Sequence, residues 1–134
     1  MPEEVSRDFA ADVNAPSAAR EFLRDTLQTW ELDGFGEVTE LLTSELVSNV
    51  VRHVAQPMTV RAIRVSADRF RIEVDDLSAS PPVLQDAGPY GERGRGMLLI
   101  DALADDWGTR PRRNGKTVWF TIDAATAEDE VHNE

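Results

Sequence analysis

Apolar residues recur along the chain with two distinct periods. Ala19, Phe22, Leu23, Leu27 and Trp30 fall at intervals of three and four, one stripe that predicts a helix to about residue 30. Asn14-Ala15-Pro16-Ser17 supplies capping residues and a proline for its start. Before it, Phe9 among polar neighbours predicts a short strand. Asp33-Gly34 breaks the chain, and a longer helical pattern runs from 35 to about 54, where Gln56-Pro57 stops it. The period then changes to two. Segments 60–65 and 70–74 predict a hairpin about Ala67-Asp68, because Phe70, Ile72 and Val74 alternate with Arg69, Arg71 and Glu73. Residues 77–95 are rich in Ser, Pro, Gly and charge, a long loop of the kind that is functional or mobile. A short helix is predicted from Met97 to about 104. Strands at 107–109 and 117–122 close the pattern around Asn114-Gly115, a dipeptide that favours a tight hairpin.

The order is strand, two helices, two strands, loop, helix, two strands. Strands outnumber crossovers, so the expected fold class is α/β: a mixed, mainly antiparallel sheet with its helices on one face in a two-layer sandwich. A doubly wound dinucleotide fold would alternate strand and helix throughout, and this pattern does not.

Length and composition narrow this picture. A chain of 134 residues, 41% hydrophobic and 29% charged, suits one ordinary globular domain. Its net charge of −11 argues against general affinity for nucleic acid or anionic membranes, though local donors still allow a nucleotide. The absence of cysteine excludes disulfides and thiolate metal sites, and the acidic Met1-Pro2-Glu3-Glu4 start lacks the order of a secretion signal. A cytoplasmic protein is expected. The domain is drawn as 1–122. Segment 123–134, acidic with one lone Val, is expected to be a solvated tail, either a solubilising terminus or a partner-docking peptide.

Several residues do not fit a bland core. On a helical wheel with Glu45 at zero, Asn49 falls near about 40° and His53 near about 80°, beside Leu42 and Leu46. Glu37, Ser44, Ser48 and Arg52 form the solvent edge. A carboxylate, an amide and an imidazole along an apolar stripe need partners or a ligand, because burying each unpaired costs roughly 1–3 kcal/mol. The carboxylate can take a proton and the amide oxygen can ligate a hard cation such as Mg²⁺. The alternative is that the three bond each other and the neighbouring strands, and His53 alone is often a satisfied core residue. Asp76 continues the inward face of Phe70, Ile72 and Val74, so its carboxylate can accept a hydrogen bond from an exocyclic amine, or merely close the strand. Gly94-Arg95-Gly96-Met97 opens a loop onto a helix, where close-approaching N–H groups suit an anion, although a flexible turn explains it equally. Gly115-Lys116-Thr117 has a hairpin turn as its bland reading. Lys116 is the one lysine beside thirteen arginines.

Taken in order, Glu45-x-x-x-Asn49-x-x-x-His53, Asp76, Gly94-x-Gly96 and Gly115-x-Thr117 resemble the nucleotide-binding domain shared by gyrase, Hsp90, histidine kinases and MutL, over about residues 8–122. The pattern is most similar to the small anti-sigma-factor serine/threonine kinases of that superfamily. The resemblance implies a Bergerat-type sandwich that binds ATP with Mg²⁺ under a mobile lid at 88–95. It also implies phosphorylation of a STAS-domain antagonist and sequestration of a sigma factor. It leaves room for a homodimer and gives no direct role to nucleic acid or membrane. Glu45 would orient or deprotonate the attacking hydroxyl and Asn49 would hold the metal. His53 would lie at the same site, Asp76 would read the adenine amine, Gly94, Arg95, Gly96 and Met97 would shape the lid, and Thr117 would support the adenine end. The box after Asp76 departs from the usual Asp-x-Gly-x-Gly. It reads Asp76-Leu77-Ser78-Ala79-Ser80, where small residues stand for the glycines and Ser78 would hydrogen-bond the base. A switch module that binds ATP or ADP without phosphoryl transfer is the alternative, and an interaction domain with no nucleotide a third.

Overall fold

The computed structural model describes residues 3–78 and 92–124, the side chains of 92–96 excepted. Strand β1 (Glu3–Phe9) leads into helix α1 (Ala15–Thr29), then a 3-10 turn (Asp33–Phe35), helix α2 (Gly36–Asn49) and a π-helical turn (Val50–Val54). Strands β2 (Met58–Ser66) and β3 (Arg69–Asp76), helix α3 (Glu92–Leu103) and strands β4 (Asp106–Arg112) and β5 (Gly115–Asp123) follow. The five strands form one sheet in the order β1-β2-β3-β5-β4, every pair antiparallel. All three helices cover one face, α2 lying between α1 and α3, so the expected two-layer α/β sandwich is what the chain forms.

The two periods explain the layers. Even-numbered residues of β2, β3 and β5 meet the helices: Val60, Phe70, Ile72, Val74, Val118 and Phe120 are buried against Leu23, Leu27, Leu42, Val47, Met97 and Ile100. Each such side chain contributes about 1.5–3 kcal/mol by leaving water. Pro16 sits in the first turn of α1, where its missing N–H costs nothing. Asn14 is no cap, however: its side chain makes no capping bond, and its N–H donates to Asp12 Oδ1 at 2.9 Å.

Three expectations about boundaries are corrected. The long helical pattern does not stay α-helical to 54, because its last five residues widen to i→i+5 bonding before Ala55, at φ 56°, ends it. Helix α3 begins at Glu92 instead of Met97, so Gly94 and Gly96 lie inside its first turns. The packing of α3 on α2 through Met97 and Ile100 outweighs the poor helix propensity of glycine. The β4–β5 turn is Arg113-Asn114, with Gly115 already in β5 opposite Arg112. Segment 79–91, with the first half of the expected lid, and segment 125–134 lie outside the described residues, while the second half of that lid, 92–95, is the start of α3. Strand β5 runs through Asp123, and Ala124 is buried with its N–H donating to the Asp68 carbonyl at 2.6 Å.

Candidate functional site

Helix α2 presents Glu45 and Asn49 one turn apart, both half-buried, flanked by fully buried Leu42 and Leu46. Four residues at about 100° each return to nearly the same line, which is why the two polar groups share a face. Asn49 Oδ1 accepts a bond from the Arg52 guanidinium at 3.1 Å and keeps a second lone pair. Glu45 forms no hydrogen bond or ion pair among the described residues, whereas the other non-exposed carboxylates there (Glu40, Glu73, Asp75, Asp76 and Asp123) all have partners. His53 lies in the π turn that follows Asn49, and its side chain is exposed.

The end of β3 carries the second group. Asp76 continues the inward face as expected and is 2% exposed. Its carboxylate is already engaged. Oδ1 accepts the Ser78 backbone N–H at 2.8 Å, closing a turn, and the Lys116 ammonium lies 3.1 Å from Oδ1 and 2.9 Å from Oδ2. Lys116 stands directly opposite Asp76 in the β3–β5 register. Gly115 precedes it because β5 crosses so close to β3 that an added Cβ would collide with the Asp76 carbonyl oxygen.

Thr117 falls on the other face. Its hydroxyl donates to Asp75 Oδ1 at 2.6 Å, so the residue on the face of Asp76 is Lys116, which the motif had not singled out for a role. On that open face Asp75 and Glu73 are both buried, although strand alternation had assigned Glu73 to solvent. Arg61 donates to Glu73 at 2.8 Å and to Asp75 at 2.7 Å, while Arg71 and Arg110 approach Glu73 and Arg112 approaches Asp75. Trp119 lies under the Arg71 guanidinium, 4.3 Å from ring centroid to Cζ, and fills the space over Gly108 that a Cβ would need. Burial alone would raise the Asp75 carboxyl, but the bonds from Arg61 and Thr117 and the charges of Arg61 and Arg112 outweigh it and hold the group below its ordinary value. The Asp75 bond in turn raises Arg61, against a smaller opposing effect of its own burial.

At α3, Met97 is fully buried among core residues, which gives it a packing role. Trp107 of β4 donates its indole N–H to Asp101 of α3 at 2.8 Å, tying that helix to the sheet edge. No group of three His, Asp or Glu side chains able to enclose a metal occurs among the described residues.

The family model for the histidine kinase-like ATPase domain matches residues 9–122, from the end of β1 to the end of β5. The chain belongs to that family. Among solved structures, the RsbU and RsbW domains of Rv1364c from Mycobacterium tuberculosis superpose with a TM-score of 0.63 at 21% identity, covering 92% of this chain and 32% of theirs. This chain therefore spans about a third of that one. The histidine kinase domain of the blue-light-activated kinase EL346 from Erythrobacter litoralis gives 0.52 at 17% identity, over 94% of this chain and 69% of its own. The catalytic domain of histidine kinase ThkA gives 0.50 at 15%, over 90% and 96%. At these identities the likeness is one of fold. A Streptomyces coelicolor protein, SCO4941, described as uncharacterized, is 35% identical over 79 residues, 56% of this chain and 75% of its own.

Within this histidine kinase-like ATPase, the residues present fit the implied Mg²⁺ and adenine nucleotide. Asn49 has an amide lone pair for the ion, Asp76 a buried acceptor for an amine, and Glu45 a half-buried carboxylate with no partner among the described residues.

Proposed function

We propose that the chain is an ATP-dependent protein serine/threonine kinase of the anti-sigma-factor type. It phosphorylates a STAS-domain antagonist and regulates transcription by partner switching. One observation carries the reading: among the described residues every other carboxylate out of full solvent contact has a partner, and Glu45, one turn before Asn49, has none. A half-buried carboxylate held without a partner suits proton transfer to or from a substrate.

In this reading Glu45 accepts the proton of the attacking serine or threonine hydroxyl, and Asn49 Oδ1 holds Mg²⁺. Asp76 accepts a hydrogen bond from the adenine amine. Bound Mg²⁺ would offset charge that develops on the transferred phosphoryl oxygens. Gly94 and Gly96, in the first turns of α3, would let backbone N–H groups approach phosphate closely. The likeness to the RsbU and RsbW domains of the M. tuberculosis protein supports a partner-switching role. We place the switch in the cytoplasm; no described helix is long and apolar enough to cross a membrane.

Incubating the chain with Mg-ATP and STAS-domain proteins encoded beside its gene, read by intact mass, tests the proposal. A gain of one phosphoryl group on the STAS protein supports it. ATP binding without transfer leaves the second reading, an ATP- or ADP-dependent interaction module, which the missing glycines after Asp76 favour.

A further inference from the structure

The buried pair of Asp76 and Lys116 is unlike every other ion pair found in the described residues. All the others use arginine, and this one uses the chain's one lysine. A carboxylate offers about four lone-pair positions and an ammonium three N–H bonds. Asp76 Oδ1 accepts from Ser78 N–H and faces Lys116, while Oδ2 faces Lys116 alone at 2.9 Å, so one lone pair of Oδ2 stays open. The two Lys116 contacts use at most two of its N–H bonds, which leaves a donor beside that open acceptor. An arginine fork would engage the same two oxygens but point its remaining N–H bonds away from the carboxylate, leaving no donor beside the open lone pair.

A pair that served the fold alone would gain little here, since buried ion pairs contribute about as much as a hydrophobic pair of the same volume. The register fixes the geometry nonetheless. Lys116 faces Asp76 across β3 and β5, and Gly115 lets the strands approach closely enough for the contact.

We propose that Lys116 and Asp76 act together as a donor–acceptor pair that reads the base edge of the nucleotide. Asp76 takes the exocyclic amine and Lys116 donates to the adjacent unprotonated ring nitrogen, the arrangement that a 6-aminopurine presents. Lys116 is thus a specificity-determining residue, supplying a donor where this chain lacks the glycines of the Asp-x-Gly-x-Gly box. The inference rests on the nucleotide reading of the site.

Calorimetry of Mg-ATP and Mg-1-deaza-ATP, which keeps the amine but replaces the ring nitrogen with CH, tests it on the wild type, Lys116→Met and Lys116→Arg. The wild type is expected to bind the deaza analogue about 10–100-fold more weakly, the worth of a hydrogen bond from a charged donor. Lys116→Met is expected to bind the two nucleotides alike. Thermal melting checks its fold, because it leaves a buried carboxylate unpaired. Lys116→Arg keeps the ion pair and is expected to fold, yet to bind ATP at least about tenfold more weakly because the spare N–H bonds of its fork point away from the open acceptor. An unchanged ratio of the two nucleotides in Lys116→Met, or wild-type ATP affinity in Lys116→Arg, overturns the inference while leaving nucleotide binding intact. No binding of millimolar Mg-ATP by the folded wild type overturns the nucleotide reading, and this one with it.

Discussion

The two faces of the sheet treat acidic side chains in opposite ways. On the open face, Glu73 and Asp75 are buried under arginines from neighbouring strands, and each oxygen-rich group is met by more cation than it needs. On the helix-facing side, Asp76 meets a single cation, Lys116, and one backbone N–H, and Glu45 meets nothing among the described residues. Residue type is the same in both places, so the surroundings decide the role. A carboxylate saturated with guanidinium is structural, and one left with spare acceptor capacity is available to a ligand.

The sharpest way to break that contrast is to remove the unpartnered group. Glu45→Ala is expected to lower phosphoryl transfer by about 10²–10⁴, the usual worth of a positioned general base, with nucleotide affinity within a few-fold of wild type. Single-turnover transfer and calorimetry measure the two effects separately. Asn49→Ala is expected to lose Mg-dependent binding and transfer together, because the ion links protein and phosphates. A Glu45→Ala variant with full transfer would erase the distinction between the faces.

On the open face the expectation is reversed. Arg61→Met leaves Glu73 and Asp75 short of their main donor and should cost about 3 kcal/mol, the lower end for a broken buried pair because Arg61 is itself partly exposed. Its melting temperature should fall by roughly 10 °C with nucleotide affinity unchanged. Gly115→Ala sits between the two cases. The collision with the Asp76 carbonyl should cost about 1–3 kcal/mol and weaken nucleotide binding as well, since it displaces the strand that carries Lys116.

The smallest expected effect is in pH. Asp75 titrates below its ordinary value in the fold, so its stabilising contribution is complete above the unfolded carboxyl value of about 3.9 and is lost as pH falls through the lower folded value. Acid unfolding followed by circular dichroism should therefore be less steep below about pH 4 in Asp75→Asn than in wild type.

The inward alternation of Phe70, Ile72, Val74 and Asp76 was legible in the sequence, as were the shared helix face of Glu45 and Asn49 and the order of elements. Each is set by local periodicity. The burial of Glu73 was not legible, because its cover comes from Arg61, Arg71 and Arg110 on three different strands. The pairing of Lys116 with Asp76 was not legible for the same reason: it depends on the β3–β5 register, forty residues apart in sequence. The exposure of His53 was not legible, because a wheel drawn at constant pitch does not foresee a π turn. Asp76→Asn, which looks from sequence like a test of base recognition alone, also leaves a buried lysine without its counter-charge. Stability and affinity should fall together in that variant.

The three tryptophans sit in three different surroundings. Trp30 is sealed in the core at the end of α1, Trp107 is hydrogen-bonded to Asp101 of α3, and Trp119 is stacked beneath Arg71 on the open face. Emission from single-tryptophan variants would therefore report separately on the core, on the docking of α3 and on the arginine-covered sheet. The domain carries its own optical labels, and one of them is wired to the helix whose first turns hold Gly94 and Gly96.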